Sequence, residues 1–194
     1  FTDECHDLVT PLSWPDDIYF GAEPSQYSKL SPEEKSIATY THALVHRREG
    51  FHCGEFGMMG FANANYWSSA VKSVDQNESL PHEEWIQSVQ TLARDEEAFA
   101  SSPEVQEWCQ SHGFTKTTPS NRKDVWFESR AVHELCANVM QQQKNDETAS
   151  VKTSTSLQDF AEKLVAQEIR ILLVHALKQA GMSVDLSKMS SSTG

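Results

Sequence analysis

Apolar side chains recur along this chain at helical spacing, and recognisable caps punctuate the runs. The first clear run opens at Ser31-Pro32-Glu33-Glu34. Ser31 can cap, Pro32 suits the first helical position, and Glu34 completes a capping box. Ile37, Tyr40, Thr41, Leu44 and Val45 then form a stripe, and Gly50 is a stop. Gly50, Gly54, Gly57 and Gly60 read as a loop with unusual backbone freedom. Phe61 to Val74 reads as a second helix.

A third helix is expected from Pro81 to Ala100, with Trp85, Val89, Leu92 and Phe99 inward. Ser102-Pro103-Glu104 caps a short helix that buries Val105, Trp108 and Cys109 and stops at Gly113. Phe114 to Arg122 reads as a loop. Asp124 to Met140 is helical, with Val125, Val132, Leu135, Cys136 and Val139 as core candidates. Ser156 caps a long last helix to Ala180, ended by Gly181. Three segments lack such patterns. Residues 1–30 hold Pro11, Trp14, Pro15 and Pro24 and read as an irregular arm. Residues 141–155 are polar and read as a mobile connector, and 182–194 as a disordered Ser-rich tail.

No strand pattern stands out, so the expected fold is all-α. It is an irregular bundle of about five or six helices in a single domain over 1–181. The first and last long helices should be neighbours, because each carries a polar position that needs a partner.

Composition changes this picture in two ways. The formal net charge is −12, a field that repels phosphate backbones and anionic lipid surfaces. Nucleic acid and membranes are therefore not expected as partners, and a small-molecule ligand is. No apolar run is long enough to span a bilayer, and no signal peptide is visible. The expected compartment is the cytoplasm, although the chain starts at Phe1. Cys5, Cys53, Cys109 and Cys136 are irregularly spaced without a CxxC pair, so free thiols are expected rather than bridges or a thiolate zinc site.

The candidate chemistry is concentrated between His42 and Trp67. His42 and His46 stand at i, i+4, about 40° apart around a helix axis. Glu49 lies near the same line. Two His and a carboxylate are a recurrent shell for zinc or non-haem iron, although HExxH is absent. The alternative is a solvated polar face, or His residues hydrogen-bonded to neighbouring elements. His52, Cys53 and Glu55 follow in the Gly-rich stretch as pocket or plain loop residues. Arg47 and Arg48 point in different directions; each either forks onto a substrate carboxylate or pairs within the protein. Asn63, Asn65, Tyr66 and Trp67 suit a pocket wall with hydrogen-bonding tips, or simple helix capping and packing. Glu168 falls on the apolar stripe of the last helix, where a carboxylate must be paired, protonated or metal-bound. It is either an ion-pair partner of Arg47 or Arg48, or a ligand or general base opposite His42 and His46. His175 lies on the same stripe. His6, His82, His112 and His133 have no supporting constellation in sequence. No GxSxG or GK[ST] is present.

The run His42 to Gly50 (HALVHRREG) and the block Asn63-Ala64-Asn65-Tyr66-Trp67 resemble a group of uncharacterised microbial and fungal proteins with HRxEG and NAxYW blocks. Trp126 to Cys136 (WFESRAVHELC) and Gln167-Glu168 look similar too, while the Gly-rich insert between the first two blocks is longer here. The resemblance implies that His46, Arg47, Glu49, Asn65, Tyr66, Trp67 and Glu168 belong to one site. It implies no reaction.

Two functions fit this reading. One is a small metal-dependent hydrolase or lyase acting on a small anionic substrate. In it His42, His46 and Glu168 or Glu49 hold a divalent ion (zinc, iron or manganese), a carboxylate acts as base, and Arg47 or Arg48 holds the anion. The other is a non-catalytic interaction module whose His-Arg-Glu cluster is a buried polar network.

Overall fold

The computed structural model describes residues 2–13, 30–52, 57–74, 80–114, 125–146 and 155–182. These residues form eight helices and no strand: α1 Thr2–Ser13, α2 Pro32–His52, α3 Gly57–Val74, α4 His82–Asp95, α5 Glu97–Ala100, α6 Pro103–Ser111, α7 Val125–Asp146 and α8 Thr155–Gln179. The architecture is all-helical, with more helices than expected.

Local signals set several of the boundaries. Ser31 and Glu34 form a reciprocal capping box at α2, with the Ser31 N–H donating to Glu34 Oε2 at 2.7 Å and the Glu34 N–H to Ser31 Oγ at 3.2 Å. The Ser102 hydroxyl caps α6 by accepting from the Val105 N–H. Gly113 and Gly181 take positive φ, 77° and 72°, at the ends of α6 and α8. Each closes a paired 6→1 and 5→2 turn: Phe114 to Cys109 with Gly113 to Gln110, and Met182 to Leu177 with Gly181 to Lys178.

Four expectations change. The arm begins with α1, in which His6, Val9 and Ser13 turn inward at helical spacing although Pro11 interrupts the sequence pattern. Residues 14–29 lie outside the described residues. The described part of the Gly-rich stretch is helical: Gly50 is inside α2, and Gly57 and Gly60 open α3, while residues 53–56, with Gly54, lie outside the described residues. A Cβ on Gly60 would stand 2.7 Å from the His46 carbonyl oxygen and 2.8 Å from Gly50 Cα, and it would also meet the Gly50 nitrogen. Gly60 and Gly50 therefore serve backbone-to-backbone approach of two helices. The third helix breaks at Glu96, whose extended backbone (φ −89°, ψ 115°) separates α4 from α5. Finally, α7 runs through 141–146, inside the expected connector. Residues 147–154, and 183–194 of the expected tail, lie outside the described residues.

Two apolar clusters hold the helices together. The larger joins α4 to α8 with Phe61, around Trp85, Phe99, Trp108, Leu135, Phe160 and Leu164. The smaller contains Tyr40, Ala43, Leu44, Trp67, Val71, Leu80 and Leu172. Helix α2 packs against α1, α3, α7 and α8, so its polar residues meet partners from four elements. No helix among the described residues is long and apolar enough to cross a membrane.

Candidate metal centre

Helix α2 presents polar side chains in two directions. On one side, His42 and His46 lie one turn apart with their rings stacked at 4.8 Å and 23°. His6 of α1 meets both edge-on, with centroids 4.9 Å from His42 and 5.0 Å from His46. One donor atom from each of the three rings lies within 4.8 Å of the other two. Trp67 of α3 covers the opposite face of His42, stacked at 4.0 Å. Tyr66 stands edge-to-face on Trp67 at 5.3 Å and is 60% exposed.

Each ring has a different environment. His42 is 2% exposed, and both of its nitrogens are buried without a hydrogen-bond partner. Burial, with help from His46 and His6, pushes its pKa down to about 3, so the ring is neutral at physiological pH. His46 Nδ1 lies 2.7 Å from Glu49 Oε2. Burial depresses the His46 pKa, and the bond and charge of Glu49 pull against it. The Thr10 hydroxyl gives its proton to the His6 carbonyl at 2.6 Å, so it can only accept from His6 Nδ1, 3.4 Å away.

On the other side of α2, Arg47 is wholly buried and Glu168 is 2% exposed. Arg47 forks onto Glu168, with Nη1 donating to Oε2 and Nη2 to Oε1, the latter at 3.1 Å. The Tyr40 hydroxyl also donates to Glu168 Oε1. Arg47 Nε donates to His133 Nδ1 at 2.7 Å. That nitrogen must be unprotonated, so His133 Nε2–H donates to Ser68 Oγ at 2.5 Å. Burial opposes the Arg47 charge, yet the pairing with Glu168 carries its pKa above the usual value. His133 lies well below its usual value because it is buried and faces Arg47. Cys136 is also interior, and burial raises its thiol to about 12.

The structure thus divides the sequence candidates between two neighbouring clusters. His42, His46, Glu49 and Trp67 share the first; Arg47 and Glu168 belong to the second. Glu168 meets Arg47 and Tyr40 rather than the His rings. Arg48 and Asn63 are exposed. Asn65 is half-buried, and its Oδ1 is buried without a partner. Cys53 and Glu55 lie outside the described residues, and His52 ends α2. Cys5, Cys109 and Cys136 are free thiols. The sequence pattern does not mark His6, which sits in the proline-containing segment 1–30. Nor does it mark His133 and Ser68, and it gives Tyr40 only a packing role. Only the helical spacing of His6, Val9 and Ser13 hinted that His6 faces inward.

No family model, curated protein or solved structure matches the chain.

Proposed function

We propose that this chain is a small metal-dependent enzyme, of hydrolase or lyase type, acting on a small anionic substrate. The observation that carries the reading is the convergence of His6, His42 and His46, together with a His42 whose two buried nitrogens have no partner. Orphaned buried polar atoms are costly, and a metal ion would satisfy one of them. Three imidazole ligands suit zinc or iron better than magnesium or calcium. Bonds of about 2.0–2.1 Å place tetrahedral donor atoms about 3.4 Å apart, so the rings close on an ion by on the order of an ångström. Three protein ligands leave a position for water or substrate, where the ion acts as a Lewis acid or lowers the pKa of water. The all-neutral donor set leaves the ion's charge uncompensated, which favours an anionic ligand. Arg47 is committed to Glu168, so the ion rather than that guanidinium takes the substrate's charge in this reading.

The second reading, a non-catalytic module, draws on the other cluster. Tyr40, Arg47, Ser68, His133 and Glu168 link α2, α3, α7 and α8 in one buried network, which suits a purely structural role. Metal content of untagged protein, purified without chelators, separates the two. Near-stoichiometric zinc or iron that disappears in His42→Ala supports the enzyme. Protein that remains metal-free after incubation with these ions removes the metal reading.

A further inference from the structure

Imidazole offers an ion only the nitrogen that carries no proton, so a ligand His must be held in the right tautomer. His42 has no partner to choose for it. His46 has one. Glu49 lies one turn further along α2, and its Oε2 sits 2.7 Å from His46 Nδ1. An ionised carboxylate accepts and cannot donate. The contact therefore places the proton on Nδ1 and leaves the Nε2 lone pair free. The Glu49 side chain is 25% exposed and the imidazole 9%, so the carboxylate reaches the ring from the solvent side.

Resting on the metal reading above, we infer that Glu49 is a positioning residue that selects Nε2 of His46 as the atom offered to the ion. This differs from a general base, which would need to face the reacting atoms. The hydrogen bond fixes the ring plane as well as the proton, and a carboxylate behind a ligand imidazole raises its donor strength. A His46 lacking that partner would divide between two tautomers, and one of them presents N–H where a donor is needed.

The test uses the full chain, as wild type, Glu49→Ala and Glu49→Gln. Long-range proton–nitrogen correlation spectra of metal-free protein report the His46 tautomer. Competition with a chromophoric chelator reports affinity for Zn(II) and Co(II). The expected wild-type tautomer is Nδ1–H. Glu49→Ala should lose that preference and bind both ions about 10–100-fold more weakly. Glu49→Gln keeps an acceptor and should fall in between, which separates positioning from loss of fold. Tight wild-type binding with both variants within twofold, or an Nε2–H tautomer in wild type, overturns the role and leaves the metal site standing. A wild type that binds neither ion brings down the metal reading, and this role with it.

Discussion

Helix α2 carries two polar clusters that differ in one respect: how completely their hydrogen-bonding capacity is used. Around Arg47, the guanidinium forks onto Glu168, Tyr40 adds a donor, and His133 passes the chain of bonds on to Ser68. Around His42, two nitrogens lie buried with nothing to bond. Neighbouring positions on one helix thus serve opposite ends. The first cluster is complete within the protein and specifies how four helices meet. The second leaves both His42 nitrogens without a hydrogen-bond partner. Buried polarity is therefore not one signal, because its meaning depends on whether the donors and acceptors balance.

The largest effect should come from unbalancing the complete cluster. Arg47→Ala leaves the Glu168 carboxylate buried without its cation and should destabilise the fold by about 3–5 kcal/mol, read from the urea midpoint. A loss below 1 kcal/mol would mean that water reaches Glu168 and that the cluster is not sealed.

Gly60→Ala tests the frame shared by both clusters. The added methyl meets the backbone of Gly50 and the His46 carbonyl, so α2 and α3 must separate. A loss of about 1–3 kcal/mol is expected, together with a shifted Trp67 emission as its stacking on His42 loosens. Unchanged stability would show that the helices can part freely.

Acid should weaken the complete cluster through His133. Its pKa is depressed in the folded state, where the ring stays neutral beside Arg47, while the unfolded chain protonates near the ordinary value of 6.5. The contribution is therefore fully present above that value and is lost as pH falls below it. The slope is about 1.4 kcal/mol per pH unit for this one group. His133→Asn should have a shallower stability profile between pH 6.5 and 5 than wild type. Parallel profiles would show that His133 protonates in place.

The smallest effect should also have the opposite sign. His42→Phe keeps a ring under Trp67 and deletes both orphaned nitrogens. The metal-free protein should gain about 1 kcal/mol while losing all affinity for zinc. A variant that is less stable than metal-free wild type would show that the His42 nitrogens are satisfied after all, and the contrast between the clusters would collapse.

What the sequence could disclose was set by distance along the chain. The capping box at Ser31 and Glu34 and the stops at Gly113 and Gly181 depend on residues within a few positions of each other. The inward faces of α6 and α7 follow from helical period alone, and Val105, Trp108, Leu135 and Cys136 are buried as that period predicts. The stripe on α8 likewise put Glu168 in the interior, but which cation would meet it depended on packing. The Gly50–Gly60 stretch misled because the same residue type serves loops and close helix crossings. His6 stayed hidden for a similar reason. Its partners lie on another helix, across a segment rich in proline, and no spacing rule connects them.

The placement of His6 on α1 also bears on chain topology. Under the metal reading, an ion shared by His6 and His42 is a reversible crosslink between the first helix and the second. It closes a loop of about 35 residues, and the loss of unfolded-chain freedom on that scale corresponds to about 4 kcal/mol. The attachment of α1 then becomes a function of ion concentration. Removal of the ion would take away that crosslink and leave α1 held by its packing against α2 alone.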